Sequence, residues 1–131
     1  MRLPIQIEAN SRSPIYHQIE EQIKALIVSG FLEAGTSLPS IRVLAKDLEC
    51  SVITTRRAYQ NLEQQGLIRT TQGKGTFVEQ VDARAKEATK YMTVYESLEK
   101  AIETGLLHDY SYDEIEVIVR EIIAKGKGIE G

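Results

Sequence analysis

The sequence predicts a mainly α-helical fold with a small β-hairpin wing. An N-terminal winged helix-turn-helix is expected over residues 1–80 and a C-terminal two-helix region over residues 81–131. Three observations carry the prediction. Residues 38–66 hold two short amphipathic runs, each opened by a serine able to cap a helix, with a tight turn between them. Residues 67–79 hold two short β-rich runs around a Gln72-Gly73-Lys74 tip. From Asp82 onward, apolar residues return every three or four positions.

In chain order, Arg2-Leu3-Pro4-Ile5-Gln6-Ile7 alternates apolar and polar side chains and reads as a short strand, which Pro4 confines to a sheet edge. Ser13-Pro14 reads as a helix start, a hydroxyl cap followed by proline at the first helical position. Ile15, Ile19, Ile23, Leu26 and Ile27 then share one face, and Gly30 is the expected stop. Glu33-Ala34-Gly35-Thr36 reads as a turn. Ser40 opens a second helix with Ile41, Leu44, Ala45 and Leu48 inward, small Ala45 permitting close approach of the next helix. Ser51 opens the third, with Thr55, Ala58, Tyr59 and Leu62 inward and Gly66 at its end. Its outward residues are Val52, Ile53, Thr54, Arg56, Arg57, Gln60 and Asn61.

Residues 67–71 and 75–79 complete the hairpin. A long helix from Asp82 carries Val81, Ala85, Ala88, Met92, Tyr95, Leu98, Ile102 and Leu106 as a stripe, with Gly105 as its expected end. Ser111-Tyr112-Asp113-Glu114 has capping-box spacing. Ile115, Ile118, Val119, Ile122 and Ile123 stripe the last helix, and Lys125-Gly126-Lys127-Gly128 reads as a frayed end.

Composition narrows the function classes. At 131 residues the chain holds one compact domain or a small domain with an appendage. It has no long apolar run and no charged-then-apolar leader, so neither a membrane span nor a secretory signal is expected. A single cysteine, Cys50, fits a reducing cytoplasm and, beside the third helix, a buried packing role better than a redox switch. His17 and His108 lack carboxylate or cysteine neighbours at ligand spacing, so no metal or cofactor is expected. No nucleophile has a base near it and no carboxylates converge, which argues against an enzyme. Gly73-Lys74-Gly75 lacks the spacing of a phosphate-binding loop.

The net charge of −3 conceals an asymmetry. Residues 40–75 carry six basic and three acidic side chains, whereas residues 81–131 carry seven basic and eleven acidic ones. A basic head on an acidic body steers its basic face toward a polyanion. The head also has the right parts for duplex DNA. Ser51 and Thr54 sit at the start of the third helix, where free backbone amides and the helix dipole favour phosphate. Arg56 and Arg57 can reach phosphates or a guanine edge. Arg42 lies near the start of the second helix, and Gly73-Lys74-Gly75 lets a charged hairpin tip approach the sugar-phosphate backbone.

These residues resemble the DNA-binding domain of the GntR family of bacterial transcription regulators. The resemblance rests on Pro14-Ile15-Tyr16-x-Gln18-Ile19, Gly30 and Gly35, Leu38-Pro39-Ser40-x-Arg42-x-Leu44-Ala45 and Ser51-x-x-Thr54. It continues through Ala58-Tyr59-x-x-Leu62, Gly66-Leu67-Ile68 and Gly73-x-Gly75-Thr76-Phe77-Val78. It implies an N-terminal winged helix binding inverted repeats as a dimer, with Arg42, Ser51, Thr54, Arg56 and the Gly73 tip at the DNA. Val52, followed by Ile53, stands where many members have arginine, and apolar contact with thymine methyls is one physical substitute. Val52-Ile53-Thr54-Thr55 and the short tail resemble the branch called YtrA-like. That branch implies a repressor of its own operon, often one encoding an ABC transporter.

About fifty residues of tail are too few for the large effector domains or the aminotransferase-like fusion of other members. A helix pair too small for its own core must bury its stripe elsewhere. Pairing with a second copy through Ala88, Met92, Tyr95, Leu98, Ile102, Ile115, Ile118, Val119 and Ile122 matches a palindromic site, the alternative being a tail folded back on its own domain. Tyr91, Tyr95, Tyr110 and Tyr112 fit either interface packing or the lining of a crevice for a small-molecule effector. A competing reading makes the winged domain a protein- or RNA-interaction module without operator specificity.

Overall fold

The computed structural model describes residues 2–128. Its elements are α1 (Ile15–Val28), β1 (Ser37–Leu38), α2 (Ile41–Leu48), α3 (Val52–Gln64), β2 (Ile68–Thr71), β3 (Gly75–Val78), α4 (Ala83–Leu107) and α5 (Tyr112–Gly126). Packing separates the chain into two compact units, with the boundary between Lys90 and Tyr91, inside α4. The change of composition at residue 81 thus precedes the change of packing.

The N-terminal unit is built on the α1, α2 and α3 faces read from the sequence. Ile19, Ile23 and Ile27 of α1 meet Leu44 of α2, Ala58, Tyr59 and Leu62 of α3, and Ile68 and Val78 of the sheet in one core. Ser40 and Ser51 both cap as expected, accepting from Val43 N–H at 3.2 Å and Thr54 N–H at 3.0 Å. Gly30 and Gly66 follow their helices at positive φ, 86° and 76°, where a side chain would strain the backbone. The sheet has three antiparallel strands in the order β1-β3-β2. β3 lies centrally, pairing Thr70 with Thr76 on one side and Ser37 with Phe77 on the other.

The N-terminal segment corrects the sequence reading. Residues 2–8 form no strand, although Leu3 and Ile5 are buried in the core. The backbone there finds partners on glutamine side chains of α1 instead of a sheet edge. Gln6 N–H donates to Gln22 Oε1 at 3.0 Å, and Gln22 Nε2 donates to Gln6 O at 2.7 Å. Glu8 N–H donates to Gln18 Oε1 at 2.8 Å, and Gln18 Nε2 reaches Ser13 O at 2.8 Å and Glu8 O at 3.1 Å. The edge position belongs to β1, a strand the sequence reading missed. The start of α1 also differs: Pro14 itself is the N-cap and no side chain caps the helix, so Ser13 has no capping role.

In the C-terminal unit, Gly105 does not end α4. The helix runs to Leu107 and closes through Asp109 at φ 67°, with Tyr110 N–H donating to Gly105 O at 3.1 Å. Asp tolerates this left-handed conformation better than most residues. Gly105 has a packing role instead: a Cβ there would lie 2.7 Å from Ile115 Cδ1. The capping box of α5 is complete, Ser111 Oγ accepting from Glu114 N–H at 3.1 Å and Glu114 Oε1 from Ser111 N–H at 2.9 Å. α5 continues through Lys125 and Gly126, which the sequence reading assigned to a frayed end.

Candidate nucleic-acid interface

The start of α3 is locked by its own hydroxyls. Ser51 Oγ accepts from Thr54 N–H and donates to Thr54 Oγ1 at 2.8 Å. Thr55 Oγ1 donates to Ser51 O at 3.1 Å and lies 3.2 Å from Cys50 Sγ. Cys50 is half-buried and packs against the core, the packing role expected of it, with less burial than expected. Ser51 is therefore spent on the cap, whereas Thr54 keeps a hydroxyl proton to donate outward. A first turn fixed this way presents its unpaired amides in a set direction.

Beyond the cap, the two apolar residues separate. Val52 is half-buried, and Ile53 is 77% exposed. Arg56 is exposed one turn further on, and Arg42 is exposed on α2. Arg57 is exposed too, yet it is not a free outward cation: its guanidinium carbon stacks 3.8 Å from the centre of the Tyr16 ring. Such stacking orients the guanidinium while leaving its N–H edge available. Tyr16 is a site residue the reading of helix faces missed, although it stood in the Pro14-Ile15-Tyr16 signature.

The hairpin tip places Lys74 in solvent between Gly73 at φ 79° and Gly75 at φ 117°, and Lys74 N–H donates to Thr71 O at 3.0 Å. Two positive φ values in succession around one lysine require residues without a Cβ. Arg69 of β2 is committed elsewhere, paired to Glu79 at 2.9 Å. Among the described residues of 40–75, Arg42, Lys46, Arg56 and Lys74 are exposed cations with no ion pair, and Arg57 is held by its ring. Tyr59, at the back of α3, donates its hydroxyl to Pro39 O at 2.6 Å, and burial pushes its ionisation above the ordinary tyrosine range.

Among the described residues, most of the tail stripe is exposed. Ala88, Met92, Tyr95, Leu98, Ile118, Val119 and Ile122 are exposed and Ile102 is half-buried. Ile115 is the exception, buried within its own unit against Gly105. A crevice of about 390 Å³ is lined by Ile102, Tyr112, Ile115, Glu116, Val119 and Arg120; of the four tail tyrosines only Tyr112 lines it. Among the described residues, no helix is long and apolar enough to cross a membrane, and no three His, Cys, Asp or Glu side chains are grouped to hold a metal.

A capped helix with an exposed, cation-bearing outer face, followed by a glycine-tipped hairpin, defines a winged helix-turn-helix DNA-binding regulator. The chain belongs to the GntR family: residues 15–78 match the model described as bacterial regulatory proteins, gntR family. It is 32% identical to the HTH-type transcriptional repressor YtrA of Bacillus subtilis (strain 168) over 95% of both chains. Its fold is similar to that of a transcriptional antiterminator from Listeria monocytogenes EGD-e, with a TM-score of 0.71, 30% identity and coverage of 93% of this chain and 91% of that one. It is also similar to the DNA-binding domain of AraR in complex with operator ORX1, with a TM-score of 0.53, 30% identity and coverage of 60% of this chain and 98% of that one. The chain is thus a DNA-binding transcription regulator of mainly helical fold with a small antiparallel sheet.

Proposed function

We propose that the protein is a sequence-specific repressor that occupies an inverted-repeat operator as a homodimer in the cytoplasm. In this reading α3 lies in the major groove, Arg56 reads or anchors at its first turns, and Arg42, Arg57 and Lys74 contact the flanking backbone. The observation that carries it is the division of α3 into a buried Thr55-Ala58-Tyr59-Leu62 face and an exposed Ile53-Arg56-Arg57 face. A helix whose outer face served only solvation would not need two adjacent arginines just beyond a capped, pre-ordered N-terminus. Similarity to the DNA-binding domain of AraR in complex with operator ORX1 supports the same docking. The uncovered tail stripe supports pairing with a second copy, because a two-fold dimer matches a palindromic site. Resemblance to the YtrA-like branch extends the proposal to an operon encoding an ABC transporter as the target.

Selection of bound duplexes from a random pool at about 150 mM salt, where phosphate-only binding is suppressed, tests the reading. Enrichment of an inverted repeat is the expected result. A pool that stays unenriched with folded protein sinks operator specificity and moves the assignment to a protein or RNA partner.

A further inference from the structure

We propose that Ile53 is a specificity-determining residue that reads the 5-methyl group of a pyrimidine in the major groove. The protein then distinguishes thymine from uracil, and 5-methylcytosine from cytosine, at one base of each half-site. The inference rests on the duplex-DNA reading above and adds to it the chemistry of one contact.

The argument starts from what the first turn of α3 has left to offer. Ser51 is consumed by the cap and Val52 is half-buried, so the apolar side chain left open at this end is Ile53, 77% exposed. For the fold alone this is a poor choice. Isoleucine is a weaker helix former than alanine, and here it neither packs in the core nor makes a hydrogen bond. Its neighbours fix the kind of partner. Ile53 and Arg56 are three residues apart and share a helix face, so whatever meets one lies beside a guanidinium. An apolar protein surface would leave that charge unpaired, whereas a DNA groove supplies phosphate or guanine acceptors for it. Within the major groove, the base edges display one apolar group only, the 5-methyl of thymine. Cytosine lacks it and 5-methylcytosine carries it in the same place. Hydrocarbon against methyl is the contact these residues can make.

The test uses the full chain and the duplex enriched by selection. Each thymine is replaced in turn by deoxyuridine, which removes one methyl and nothing else. Removing a buried methyl is worth roughly a fourfold loss of affinity, and one position per half-site should show it. Replacing the same base pair by 5-methylcytosine·guanine should bind about fourfold tighter than unmodified cytosine·guanine. Ile53→Ala should abolish both ratios and lower affinity for the thymine-containing operator, with a thermal unfolding midpoint no lower than that of the wild type. A deoxyuridine scan flat at every position overturns the proposal, as does a thymine-to-uracil ratio that survives in Ile53→Ala. Those outcomes leave operator binding standing. Loss of operator specificity would show earlier, as a pool with no enriched duplex, and would remove both readings together.

Discussion

Tyr59 couples the recognition helix to the turn before α2 through a single hydroxyl. Its ring fills the core and its O–H is satisfied by Pro39 O. The folded state disfavours the phenolate, so its ionisation lies above that of the unfolded chain. The linked stability is complete below the unfolded tyrosine value of about 10 and declines as pH rises past it. Tyr59→Phe should cost about 1 kcal/mol at neutral pH and flatten that alkaline decline, as read from urea midpoints between about pH 7 and 11. At the DNA face, Arg56→Ala should weaken operator binding by about 1–3 kcal/mol if it reads a guanine edge, sparing random DNA. Arg57→Ala should weaken both alike and lower the salt slope by about 1. Tyr16→Leu should reproduce part of the Arg57 loss and Tyr16→Phe should not, because only the ring face is used. The cations of this site were legible as residue types at helical spacing. The pairing of Arg57 with Tyr16 was not, because helical periodicity orders residues around one axis and says nothing of which side chain crosses to another helix.

Among the elements, those with strong periodicity or a capping hydroxyl were legible: α2, α3, the hairpin and the start of α5 all fall where Ser40, Ser51, Gly73 and Ser111 place them. The failures have a common cause. Alternation in residues 2–7 records that Leu3 and Ile5 face a core, which an extended arm pinned by Gln18 and Gln22 achieves as well as a strand. β1 spans two residues, too few for any period to register. Gly105 resembled a stop because the need for a close approach and the need for positive φ select the same residue. Ile115 against Gly105 can be separated from propensity by a double-mutant cycle. Gly105→Ala should be more stabilising, or less destabilising, by about 1 kcal/mol in an Ile115→Ala background, which lacks both atoms lying 2.7 and 2.9 Å from the new Cβ. Ser111→Ala should cost about 1 kcal/mol by opening the capping box.

For the whole molecule, charge is divided between a basic head and an acidic tail. If the tail stripe is the seam between two copies, Leu98→Glu or Ile118→Glu should shift sedimentation equilibrium from dimer to monomer at micromolar concentration. The same change should weaken operator binding without altering the head, because both residues are exposed in the single chain. A mass that does not change in either variant would place the seam elsewhere. The uncovered stripe also bears on dosage. When association is incomplete, the DNA-competent form grows as the square of the copy number, so halving the supply of chain cuts it about fourfold. A repressor acting on its own operon would then hold its level near the point where pairing begins. Modest dilution, as a cell grows and divides, would be enough to open the promoter.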